Sequence, residues 1–77
     1  MTQEVIEALI LKRHGWAVAE QFVSSFEAFK QGEQITGNIN ALHMIYDTLE
    51  DLIAWNVPFI HDDRYHDYMD ELYSRII

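Results

Sequence analysis

The sequence predicts an all-α fold, a small bundle in which one long N-terminal helix is packed by two shorter ones. Apolar residues recur at three-, four- and seven-residue steps along most of the chain, which is the helical period. Val, Ile and Thr never run together with the period-two alternation of a strand. Turn-forming residues cluster at Gly32–Asn40 and Asn56–Pro58, leaving room for long helices between.

The first helix is expected from about Gln3 to Gln31. Thr2 is the expected N-cap, and Glu4 and Glu7 suit the positive end of the helix dipole. Val5, Leu9, Trp16, Ala19, Val23 and Phe26 form its apolar stripe, widened by Phe22 and Phe29. Lys30 and the Gln31-Gly32 step supply a C-terminal cation and a glycine stop. Gly15 interrupts this stripe at roughly 1 kcal/mol relative to alanine in a helix interior. Either it permits close packing against Trp55 or another ring, or it splits the segment; one long, bent helix is the favoured expectation.

Asn38 or Asn40 should cap the second helix, which runs to Trp55 or Asn56 with Leu42, Ile45, Leu49, Leu52 and Ile53 as its stripe. Asn56 and Pro58 end it, because the residue before a proline avoids helical backbone angles. Phe59 and Ile60 are expected to tuck under the turn. His61 or Asp62 then caps a third helix reaching nearly to Ile77, with Tyr65, Tyr68, Met69, Leu72 and Ile76 inward.

At 77 residues the chain is expected to be a single domain spanning 1–77, and its core is small enough to profit from a staple. Disulfides are excluded, since cysteine is absent. That also fits a reducing compartment, and a cytoplasmic location is the expectation. Neither a secretory leader nor an apolar run long enough to span a membrane is read in the sequence. A long helix that outreaches its two partners could recruit a second copy, so a homodimer is the alternative way to complete the bundle.

Sequence evidence for catalysis is thin. Gly15, Gly32 and Gly37 lack the spacing of a phosphate loop, and no nucleophile accompanies a base. His43 and Asp47, one turn apart, read as a surface pair rather than a general-base pair. The run His61–Asp70 holds two His and four Asp, with Asp63, His66, Asp67 and Asp70 on one helical face. Such a cluster can bind a divalent ion, yet a solvated acidic face is the simpler expectation. No cofactor and no enzyme activity are expected.

Charge is the remaining signal. Residues 1–31 carry four acids and three bases, a net −1, whereas residues 32–77 carry nine acids and two bases, a net −7. An acidic surface disfavours direct contact with nucleic acid or anionic lipid and favours a basic protein partner. The expected binding residues are Asp47, Glu50, Asp51, Asp62, Asp63, Asp67, Asp70 and Glu71. The expected function is a non-enzymatic protein-binding module, extending to an inhibitor whose carboxylate rows imitate nucleic-acid charge. The alternatives are a small metal-binding protein using His61–Asp70 and a purely structural homo-oligomer.

Overall fold

A computed structural model describes residues 2–77, apart from the side chains of Thr2, Phe59 and His61. Among the described residues the chain forms four α-helices and a 3₁₀ turn, with no strand. They are α1 (Thr2–His14), α2 (Trp16–Lys30), α3 (Ile39–Ala54), the turn Pro58–His61, and α4 (Asp63–Ile76). No described helix is long and apolar enough to cross a membrane. The all-α expectation holds, but the first expected helix is two helices.

The break is Gly15, whose backbone sits at φ 94° and ψ 177°. Only glycine occupies that region without strain. Gly15 still donates to the Leu11 carbonyl (3.0 Å), and its own carbonyl accepts from Ala19 (3.2 Å). The chain therefore reverses within one residue. At the open end of the resulting hairpin, Lys30 Nζ donates to Gln3 Oε1 at 3.2 Å.

That reversal turns α1 relative to the expected stripe. Each residue step rotates a helix by about 100°, so a shift of one position selects a different face. Ile6 and Ile10 are fully buried, Val5 is half exposed, and Leu9 packs only at the edge of the core. Burying each isoleucine contributes roughly 1.5–3 kcal/mol, more than the glycine interruption costs. Trp16, expected inside, is 71% exposed. The packing of Gly15 against Trp55 is also absent: a Cβ at Gly15 would meet nothing within 4 Å, and Trp55 is 59% exposed.

The later elements follow expectation closely. α2 ends in a Schellman motif, with Gly32 left-handed (φ 76°), Gly32 N–H bonded to Phe29 O (3.0 Å) and Glu33 N–H to Ala28 O (2.8 Å). The following loop is pinned by buried Ile35 and by Gln21 Nε2 donating to Thr36 O at 3.0 Å. Gly37 lies against that same Gln21 amide, and a Cβ there would overlap it. Asn38 caps α3 by accepting from Asn40 N (2.8 Å) and Ala41 N (3.2 Å).

α3 ends like α2, but with Asn56 as the left-handed residue (φ 57°). Asn56 N–H bonds to Ile53 O (2.9 Å) and Val57 N–H to Leu52 O (3.2 Å). Ile60 is buried beneath the turn, as expected, and Asp62 caps α4 by accepting from Arg64 N at 2.9 Å. The cap expected of Thr2 and the tuck expected of Phe59 rest on side chains that lie outside the described set.

The core joins all these elements. Leu42, Ile45, Leu49 and Leu52 of α3 face Tyr65, Tyr68, Met69 and Leu72 of α4, all buried. Tyr68 is the hub of the aromatic part. Its ring stands edge-on to Phe26 (4.9 Å, 71°) and Phe22 (5.9 Å, 73°), and its hydroxyl shares a 2.6 Å hydrogen bond with buried Ser25. Burial pushes the Tyr68 phenol well above its usual range, so it stays neutral and the bond stays intact at any ordinary pH.

Candidate functional site

α3 and α4 pack side by side and carry all eight carboxylates singled out in the sequence, Asp62 standing at the N-cap of α4. Three of them have partners in the structure, each of a different kind. Asp51 is paired at the surface, because Arg13 of α1 reaches across to it at 2.7 Å. The same guanidinium lies 6.0 Å from the Trp55 ring, so this corner ties α1 to the end of α3. Asp62 is occupied locally, capping its own helix and pairing with Arg64 at 3.2 Å. Hydrogen bonds from the Arg64 side chain and backbone hold its carboxyl below the usual range. Asp47 pairs with His43 at 3.1 Å, with both side chains more than half exposed. That is the surface i,i+4 pair read from the sequence, a contribution of a few tenths of a kcal/mol.

Glu50, Asp63, Asp67, Asp70 and Glu71 remain, all exposed. Among the described residues no ion pair engages any of them. The two arginines of the acidic half do not neutralise this set. Arg64 is held by Asp62. Arg75 is half-buried at the end of α4, where the Gln34 side-chain carbonyl accepts from its guanidinium.

Part of this set converges on a feature that sequence reasoning missed. Tyr46 of α3 and Tyr73 of α4 meet across the helix pair, with ring centroids 5.8 Å apart and planes tilted by 35°. Tyr46 is half-buried, whereas Tyr73 is 50% exposed. The Tyr46 phenol is raised above its usual range, first by burial and then by the charges of Glu50, Asp70 and Asp47 and by Tyr73. Carboxylates from both helices thus surround an aromatic pair. Tyr46 and Tyr73 each sit one residue beside a core position, Ile45 and Leu72. An aromatic ring displaced by one step from an apolar stripe is the signal that could have marked the rim of the core.

Asp63, His66, Asp67 and Asp70 all stand on the exposed side of α4, as their spacing requires. Among the described residues no three His, Asp or Glu side chains come close enough together to hold a metal ion. The His61 side chain, which would belong to such a cluster, lies outside the described residues. The geometry is that of a charged, partly aromatic surface rather than an enclosed site.

No protein-family model matches the chain, and neither a curated protein nor a solved structure matches it.

Proposed function

We propose that the chain is a cytoplasmic, non-enzymatic binding module that docks its α3–α4 face onto a basic surface of a protein partner. The observation that carries this reading is the set Glu50, Asp63, Asp67, Asp70 and Glu71, exposed and without an ion pair among the described residues, of which Glu50 and Asp70 stand beside the Tyr46–Tyr73 pair. Clustered carboxylates raise the encounter rate with a basic partner and select against acidic ones. Half-exposed Tyr73 supplies what charge alone does not: an aromatic anchor of the kind that dominates protein interfaces.

A finer form of the proposal is inhibition of a nucleic-acid-binding protein by occupying its phosphate-binding surface. Along α4, steps of three and four residues place successive carboxylates about 4.5–6 Å apart in rise. That density supports the imitation of a phosphate row without requiring a one-to-one match.

The test is affinity capture from a lysate of the source organism, eluted in salt steps, with wild type beside a Glu50→Gln/Asp67→Asn/Asp70→Asn variant. The expected result is a basic protein released at moderate salt and held on the order of tenfold more weakly by the variant. Circular dichroism should show the variant folded. Equal retention by both proteins would remove this face from the account.

A further inference from the structure

The hairpin at Gly15 offers the chain a second way to satisfy the same contacts. α1 and α2 are separated by one residue, and no side chain caps the start of α2. If Gly15 adopted helical angles, the amides of Trp16, Ala17 and Val18 would gain the carbonyls of Lys12, Arg13 and His14, which the reversal denies them. The apolar spacing that runs through Gly15 is compatible with such a continuous helix. A straight helix over residues 2–30 would measure about 43 Å, whereas the longest dimension of the folded chain is 27 Å. An opened α1 would therefore project from the body, expose Ile6 and Ile10, and vacate its place against α2 and α3.

A second opened copy supplies the matching segment and the matching vacancy. We propose that Gly15 is a hinge at which α1 straightens onto α2, and that two opened chains exchange their α1 segments as a domain-swapped dimer. Each exchanged α1 remakes the closed contacts, including Arg13 with Asp51 and Gln3 with Lys30, now between chains. In a symmetric exchange the two straightened hinges run close to the dyad, so Trp16, exposed beside the hinge in the closed fold, lies where the second chain crosses. The proposal is independent of the acidic face, since none of the residues involved in the hinge belongs to it.

Gly15→Ala is the test, because φ 94° is closed to alanine while a helix interior welcomes it. Light scattering across a dilution series should show the variant dimerising at least about tenfold more tightly than wild type. Identity of the dimer is then read by adding Gln3→Cys and Lys30→Cys. The chain has no other cysteine, so a short bismaleimide joins only this pair. In the swapped dimer the linker connects two chains, giving a covalent dimer on a denaturing gel; wild-type hinge protein carrying the same pair should link within one chain. A monomeric Gly15→Ala protein, a dimer that cross-links only within chains, or loss of helical circular dichroism would each overturn the proposal. The last outcome counts because the continuous helix must be accessible to this sequence.

Discussion

α1 and α3 end in opposite ways, and the contrast runs through the whole molecule. α3 closes on Asn56, which takes the left-handed conformation and donates to Ile53 O, while Val57 donates to Leu52 O and folds back toward the core. α1 stops at Gly15, where the backbone turns without any side-chain cap and the next helix starts at once. The first ending is local chemistry: an Asn, a following Val and a Pro specify it within three residues. The second ending is decided at a distance, by whether Ile6 and Ile10 are covered by α2 and α3. The same division appears in charge. The hairpin half is nearly neutral, whereas the half built on α3 and α4 holds most of the negative charge on its outer face. One half is free to remake its packing, and the other is a fixed scaffold that displays charge.

The most severe way to test that division is to place a charge at two positions, each of which the sequence assigns to the apolar stripe of its own helix. Leu49 is fully buried on α3, so Leu49→Asp should cost more than about 4 kcal/mol and abolish a cooperative melt. Val5 is half exposed on α1, so Val5→Asp should change stability by no more than about 0.5 kcal/mol. Both are read by thermal denaturation followed by circular dichroism. Unfolding by Val5→Asp would restore the continuous stripe and remove the hairpin.

A moderate effect is expected where the two halves are joined by a polar contact. Ser25 of α2 and Tyr68 of α4 share their 2.6 Å hydrogen bond inside the aromatic cluster. Ser25→Ala leaves a buried phenol without its partner and should cost about 1–3 kcal/mol. For a chain of this size, that lowers the melting point by roughly 4–8 °C per kcal/mol. Adding Tyr68→Phe removes the stranded hydroxyl, so the double variant should recover part of the loss. Strict additivity of the two losses would show that the bond itself contributes nothing.

Particular residues explain what was legible in the sequence. Asn38, Asp62 and the Leu42–Leu52 and Tyr65–Leu72 stripes carry their own signals of cap and period, and the structure places them accordingly. Gly15 carries two meanings, a tolerated interior glycine and a hinge, and only tertiary burial chooses between them. The phase of α1 was lost with it, because Val5, Ile6, Leu9 and Ile10 are all apolar and admit more than one face. The candidate site was legible as a set of acids but not as a surface. Arg13 lies 38 positions from Asp51 in sequence, so spacing could not show that this acid is taken. Tyr46 and Tyr73 become a pair only when α3 and α4 meet.

The smallest predicted effect concerns the two Schellman endings, one closed by glycine and the other by asparagine. A left-handed C-terminal position favours glycine over every other residue, with asparagine next. Gly32→Asn places asparagine in that position after α2, where a Cβ would meet nothing within 4 Å. The net expectation is a loss of a few tenths to about 1 kcal/mol, measured by urea denaturation with an unchanged slope. A loss of that size would make the two endings interchangeable local devices. A loss well beyond it would show that the end of α2 needs glycine, and that the hairpin half is specified differently from the scaffold half.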